Sequence, residues 1–154
     1  MLRSDVLIAL PLHLAVDFDD AAGVDMDQSP ADVGSFVIPY RCEVFLAGAV
    51  VCESCIGTSG TTPVVKYDKR PTAGDDTSRG DGDIAHLILA TTAAGKVMYD
   101  RVAKGTVLEP GEEVVVQLVT AATGSPKTGH IKPFLLVKQI PEVLGNLSDM
   151  VETA

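Results

Sequence analysis

The chain has few cations, and this excludes several classes of partner. Twelve Lys and Arg residues stand among 21 Asp and Glu residues, so the formal net charge of the 154 residues is −9. Binding to nucleic acid needs a cationic face that releases counterions from phosphates, and anionic membrane surfaces attract the same kind of face. The chain also lacks an apolar run of the roughly 18 residues that a membrane helix needs. We therefore expect no nucleic acid and no membrane among its partners.

Cysteine and aromatic residues are also scarce. Three cysteines cannot form a fully paired disulfide framework, so we expect synthesis in a reducing compartment, the cytoplasm of a cell. The apolar N-terminal stretch is interrupted by Pro11 and His13 and follows Asp5, so a signal peptide is disfavoured. Aromatic residues make up 5% of the chain, with no Trp, whereas 46% is hydrophobic. A single domain with a core of Val, Leu, Ile and Ala follows from these numbers.

The chain shows no complete catalytic or metal-binding motif, and we expect a protein that is not an enzyme and has no cofactor. Cys52 and Cys55 form a CxxC pair, but a structural zinc site needs four ligands, and only Cys42 and isolated histidines could complete it. A redox pair would open a helix, and this context indicates strands. The sequence therefore predicts reduced thiols at a strand end and a dispensable metal. The acid-rich residues 17–27 fit neither register of an EF-hand loop and predict a solvated loop.

Hydrophobic alternation with a period of two dominates the chain and predicts strands. Apolar residues occupy every even position from Val6 to Phe18, where Pro11 indicates an edge strand or a break into two strands. The same parity runs over residues 35–53 on Phe36, Ile38, Tyr40, Cys42, Val44, Leu46, Val50 and Cys52, with breaks or bulges expected at Pro39 and Gly48. Further strands are predicted over 62–69, 83–91, 96–103, 112–121 and 131–139, separated by turns rich in Gly and Pro.

This pattern predicts an all-β, single-domain β-sandwich of seven to nine strands over residues 1–140. A jelly roll is the favoured form, and an immunoglobulin-like sandwich is the alternative. We expect strand in more than about two-fifths of the chain and helix in less than about 15%. Residues 113–121 are apolar on both faces after a Pro-Gly turn, which predicts a strand in the middle of the sandwich or at a subunit contact.

Residues 141–154 leave the strand pattern and predict a C-terminal arm, extended or briefly helical. Its apolar residues fall near helical spacing and form a candidate interaction stripe of Val143, Leu144, Leu147, Met150 and Val151. A dozen residues are too few to hold a helix alone in water, so the stripe needs a surface. We expect the arm, and the residues before about Asp5, to contact neighbouring subunits, with packing against its own sandwich as the alternative.

Three segments follow one another in the second half of the chain, over roughly residues 60–147: "GTTPVVKYDKRPTAGDD", "AAGKVMYDRVAKGTVLEPGEEVVVQLVTAATG" and "GHIKPFLLVKQIPEVLGNL". In this ordered series the chain resembles the capsid decoration, or cement, proteins of tailed bacteriophages. The resemblance implies a β-sandwich or jelly-roll homo-oligomer, a dimer or trimer, on the capsid surface of the virion. Its implied partner is the major capsid protein, whose lattice it stabilises against internal pressure. It carries over no catalytic or binding position.

Two other functions remain open from the sequence. The first is a tail- or fibre-associated binding module that recognises a host-surface glycan, although only seven Phe and Tyr residues are available to stack on sugars. The second is an enzyme or metalloprotein centred on Cys52 and Cys55.

Overall fold

The protein is an all-β sandwich. The computed structural model describes residues 7–11, 13–14, 23–26, 30–57, 62–70, 83–89, 93–100, 105–123 and 127–140. Most of this part of the chain is strand, and it contains no helix. The strands are β1 (Leu7–Ala9), β2 (His13–Leu14), β3 (Val24–Asp25), β4 (Ala31–Val37), β5 (Cys42–Gly57), β6 (Val64–Arg70), β7 (Asp83–Ile88), β8 (Val97–Asp100), β9 (Val107–Leu108), β10 (Glu113–Thr120) and β11 (Lys127–Gln139). The predicted fold class and strand content are therefore confirmed, whereas a jelly-roll connectivity stays a prediction.

Two antiparallel sheets share the strands. Sheet A has the order β1-β11-β5-β8, with β3 also paired to β11 and β9 to β5. Sheet B has the order β2-β4-β10-β6-β7. The longest pairing joins β5 to β11, from Cys42 opposite Gln139 to Gly57 opposite Lys127. Side chains from both sheets form one buried cluster, as two packed sheets require.

The N-terminal alternation divides between the two sheets at Pro11. β1 pairs with β11 at one edge of sheet A, and β2 pairs with β4 at one edge of sheet B. Proline has no amide to donate to a strand ladder, so a change of sheet at this residue leaves no ladder bond unmade. Both parts of the prediction, the edge position and the break, are confirmed.

The prediction that even-numbered residues of 35–53 face the core is correct only up to Val44. Pro39 does separate β4 from β5, but a bulge then places Val44 opposite Val137 and Leu46 opposite Leu136, with Phe45 as the extra residue. One extra residue exchanges the two faces of a strand. Ala47, Ala49 and Val51 consequently enter the core, each with no exposed surface, and Leu46 and Val50 turn to the outer face of sheet A.

β10 occupies the middle of sheet B, as its apolar faces predicted. It pairs with β4 on one side and β6 on the other. Val114 and Val116 point into the shared core, and Val115 on the opposite face is also buried. The Pro110-Gly111 turn precedes it, with Gly111 at a φ of 88°, a backbone conformation that favours glycine.

Two further expectations were wrong. Gly48 is neither a break nor a bulge, because β5 continues through it with Phe134 and Tyr99 opposite on its two neighbours. The acid-rich segment is not wholly a solvated loop: Val24 lies in a strand on β11, and Val24 and Met26 are buried. The flanking Asp residues concealed this short strand from the alternation pattern.

Candidate interaction surfaces

The three cysteines lie in β5 and are free thiols. Cys42 and Cys55 are buried, and burial raises the pKa of each thiol to about 11. Cys52 is partly exposed and lies in the strand, as does Cys55, so the CxxC pair does not open a helix. A thiol is nucleophilic and binds metals as the thiolate, which is disfavoured at Cys42 and Cys55 near neutral pH.

The histidines of β7 and β11 pair with carboxylates of the same protein. His130 Nδ1 contacts Glu53 on the neighbouring strand β5, and His86 Nε2 lies 3.4 Å from Asp83 Oδ2. Within the ranges the structure describes, no three His, Cys, Asp or Glu side chains converge as a metal site would need. The expectation that zinc is dispensable stays a prediction.

A charged network crosses the outer face of sheet B, and the sequence had not indicated it. Arg70 on β6 bonds Asp32 on β4 through Nη2 and Oδ2 at 2.7 Å, and Gln117 on β10 donates to Asp32 Oδ1 at 2.7 Å. Glu113 lies opposite Arg70 in the strand register and is buried. The network therefore ties three adjacent strands together through partly buried charges.

A second part of the network is a pair of carboxyl groups, Asp68 on β6 and Asp83 on β7. Lys66 Nζ lies 2.6 Å from Asp83 Oδ1. Bonds from Lys66 and Asp68 lower the pKa of Asp83, whereas burial and then its bond to Asp83 raise the pKa of Asp68. Asp68 therefore binds a proton more tightly than Asp83 does, and Asp83 is the first of the two to ionise as pH rises. The charged side chains of this network pair with opposite charges of the same protein, Lys66 with Asp83 and Arg70 with Asp32. This is the arrangement of a structural network.

We expect Asp68→Asn to stabilise the fold at pH 7 and to change it little at pH 4. The pKa of Asp68 is higher in the folded protein than the ordinary aspartate value of 3.8. Because ionised Asp68 is less favourable in the folded protein, wild type loses stability as pH rises above 3.8 and this carboxyl group ionises. An asparagine keeps a donor for Asp83 and does not ionise. Urea denaturation at a series of pH values measures the difference, which should grow between pH 4 and pH 7.

The control is Asp83→Asn, for which we expect the opposite change in stability at pH 7. The pKa of Asp83 is lowered in the folded state, so its contribution is present at pH 7 and is lost as pH falls through the folded pKa. This variant should therefore be less stable than wild type at pH 7. Equal destabilisation by both substitutions would show that Asp68 is not the protonated member of the pair.

The outer face of sheet A is apolar across most of its width. Residues of β1, β11, β5 and β8 on this face lie in register beside one another, and we use the name "outer face of sheet A" for Leu7, Leu46, Val50, Val97, Tyr99, Phe134 and Leu136. Val97 and Tyr99 are 52% and 51% exposed, Leu7 is 39% exposed and Val50 is 36% exposed. The outer face of an antiparallel sandwich sheet is usually polar, and a contiguous apolar patch marks a contact surface.

Gly48 lies at the centre of this face and leaves room for an aromatic ring. A Cβ at Gly48 would lie 2.6 Å from Phe134 Cζ and 2.6 Å from the Met98 carbonyl oxygen. The Phe134 ring therefore lies directly over the glycine of the neighbouring strand. This close approach is the reason for glycine at the position where a break had been expected.

The candidate residues predicted from the sequence, Val143, Leu144, Leu147, Met150 and Val151, fall outside the described residues, as do the residues before Asp5. The outer face of sheet A was missed because the predicted parity placed Leu46 and Val50 in the core.

Within the described part of the chain, no helix could cross a membrane. Comparison of the chain with protein-family models, with curated proteins and with solved structures gave no match.

Proposed function

We propose that the protein is a non-enzymatic structural component of a tailed-phage virion, a capsid decoration (cement) protein that binds the major capsid protein lattice and stabilises the head. The outer face of sheet A is the observation that carries this proposal. A sandwich that functions alone gains nothing from an apolar face turned to water, whereas a lattice-bound protein needs contact surface of this kind.

Three further features support the proposal. The resemblance to decoration proteins over residues 60–147 implies the same function, with a dimer or trimer of jelly-roll or related sandwich subunits. The β5–β11 pairing runs almost the full length of both strands, which suits a protein that bears load. The titratable groups of sheet B are engaged with one another, which is the arrangement of a scaffold.

Binding to phage heads that lack the chain tests the proposal. Wild-type protein should sediment with such heads and saturate at many copies per head. Val97→Asp places a charge on the outer face of sheet A and should bind about tenfold more weakly, since losing one well-buried interface contact costs that much or more. Val119→Asp is the matched control, because Val119 is 42% exposed on β10 of the other sheet.

Absence of wild-type binding at any concentration would overturn the proposal. Saturation at a few copies on one vertex, with binding to a host-surface glycan, would instead establish the tail or fibre module. Equal binding by wild type and Val97→Asp would remove the outer face of sheet A as the contact surface.

A further inference from the structure

Strand β1 has one edge that no described strand covers. On its other side it pairs with β11, from Leu7 opposite Lys138 to Ala9 opposite Leu136. Within the described part of the chain, no strand except β11 pairs with it. An uncovered edge presents backbone donors and acceptors to any strand that can pair with them.

The direction of these backbone groups follows from the ladder between β1 and β11. The Leu10 amide donates to the Leu135 carbonyl at 3.1 Å, and alternate residues of an antiparallel strand bond to the same neighbour. Leu10 and Ile8 therefore bond towards β11, and the Ile8 side chain packs against the core. Leu7 and Ala9 turn their N–H and C=O groups away from β11, and both residues are exposed.

The β1 edge lacks the features with which natural sandwiches protect an edge strand. Residues 7–9 read LIA, so they contain no charge and no proline, and their register with β11 has no bulge. On the opposite side of the sandwich the two sheets are bridged, because the amide of His86 on edge strand β7 donates to Asp100 Oδ2 on β8 at 3.0 Å. The β1 edge is thus the one suited to pairing with another strand.

A second copy of β1 fits this edge about a two-fold axis through Ile8. Antiparallel pairing about that axis sets Leu7 of each copy opposite Ala9 of the other, a large side chain beside a small one. The N–H and C=O groups of these residues then form four hydrogen bonds between the copies, since each outward donor meets an outward acceptor. An axis through Ala9 would instead oppose Leu7 to Pro11, which has no N–H to donate.

The symmetry also determines where the outer faces of sheet A lie. Antiparallel pairing within one sheet requires an axis perpendicular to the sheet, so sheet A of one copy continues into sheet A of the other. Eight strands then lie side by side, four from each copy, in the order β8-β5-β11-β1-β1-β11-β5-β8. A rotation about this axis keeps both outer faces on the same side of the dimer.

From these observations we infer that β1 of one copy pairs with β1 of a second copy and joins the protein into a two-fold symmetric dimer. The inference goes beyond the proposed function and stands on the backbone geometry of β1 and β11. The pairing uses the edge of sheet A and leaves its outer face to the capsid protein.

Disulfide cross-linking between copies tests the register. Leu7→Cys and Ala9→Cys are made separately in a Cys52→Ser background, because Cys52 is the partly exposed thiol whereas Cys42 and Cys55 are buried. Opposed residues of such a hydrogen-bonded pair have Cα atoms about 5.5 Å apart, within the range of a disulfide. Two copies of the same variant have their cysteine Cα atoms about 8 Å apart, which is outside that range.

With oxidised glutathione, a mixture of Leu7→Cys and Ala9→Cys should form a disulfide-linked dimer, and each variant alone should stay largely unlinked. Electrophoresis without reductant measures both. Equal cross-linking in the single variants and in the mixture would overturn the axis at Ile8, and so would a mixture without cross-links.

Sedimentation equilibrium without cross-linking tests the dimer itself. Wild type should be dimeric, and Ala9→Pro should dimerise at least about tenfold more weakly, because it removes an outward N–H from both copies. Ala9→Ser is the matched control, since it keeps this N–H and should dimerise as wild type does. The N–H of Ala9 takes no part in the ladder with β11, so Ala9→Pro should retain the circular dichroism of wild type.

Two outcomes of sedimentation would overturn the inference: a wild-type protein that is monomeric at every concentration, and equal dimerisation of wild type and Ala9→Pro. Phage heads are absent from both experiments, so the two proposals fail separately. A monomer that binds heads would overturn the dimer and keep the proposed function. A dimer paired through β1 that does not bind heads would overturn the proposed function alone.

Discussion

Tyr67→Ala should lower the free energy of unfolding by about 4 kcal/mol, the usual cost of removing a large aromatic side chain from a core. Tyr67 is completely buried on the inner face of sheet B and stacks on Phe36, with ring centroids 6.5 Å apart. Its hydroxyl donates to the Gly48 carbonyl of sheet A at 2.5 Å. The side chain therefore joins the two sheets both by packing and by a buried hydrogen bond, and burial raises the pKa of its hydroxyl.

Tyr67→Phe separates the two contributions. It keeps the ring and removes only the hydroxyl, so the expected loss is about 1 kcal/mol. Urea denaturation at one protein concentration measures both variants, because self-association would otherwise contribute to the stability. Equal losses in the two variants would mean that packing of the ring is not what joins the sheets.

Arg70→Met should lower the free energy of unfolding by about 3 kcal/mol. Arg70 is 7% exposed at its side chain and pairs with Asp32, and removing one member of a buried pair leaves the other charge without compensation. Gln117 donates to the same carboxylate and cannot neutralise it.

A double-variant cycle with Asp32→Asn tests this cause. The asparagine of this variant keeps an oxygen for Gln117 but removes the charge, so Arg70→Met should cost much less in the Asp32→Asn background than in wild type. Chemical denaturation of the four proteins gives the coupling energy. Strictly additive losses would contradict the assigned ion pair and attribute the effect of Arg70 to packing alone.

The sequence predicted the fold where its pattern showed how a strand is placed in a sheet. β10 begins after a Pro-Gly turn and has apolar residues on both faces, so its central position could be predicted directly. Pro11 likewise indicated an edge strand or a break, and the chain changes sheet at this residue. For β10 the apolar residues on both faces indicated a central strand, and at Pro11 the missing backbone N–H indicated the edge or break.

The pattern does not show which residues face the core where every residue is apolar or small. Residues 44–51 read VFLAGAVV, so neither parity is distinguished, and the bulge at Phe45 cannot be located from the pattern. The outer face of sheet A depends on that bulge. Its other residues come from strands far apart in sequence, which only the sheet order brings together.

The charged network could not be predicted for a related reason. Arg70 and Asp32 are separated by 38 positions, and Gln117 is 85 positions from Asp32. No short motif connects them, because the connection is made by the neighbouring positions of β4, β10 and β6. Charges scattered along a sequence indicate a network only after the strand order is known.

The stoichiometry of the chain in purified phage particles tests the proposed function most directly. Quantitative mass spectrometry of intact particles, with labelled peptides of this chain and of the major capsid protein as standards, gives the copy ratio. A decoration protein should be present in a copy number near that of the major capsid protein, and the copies should remain with the heads after the tails are removed. A few copies per particle that leave with the tails, or absence of the chain from the particle, would contradict the proposed function.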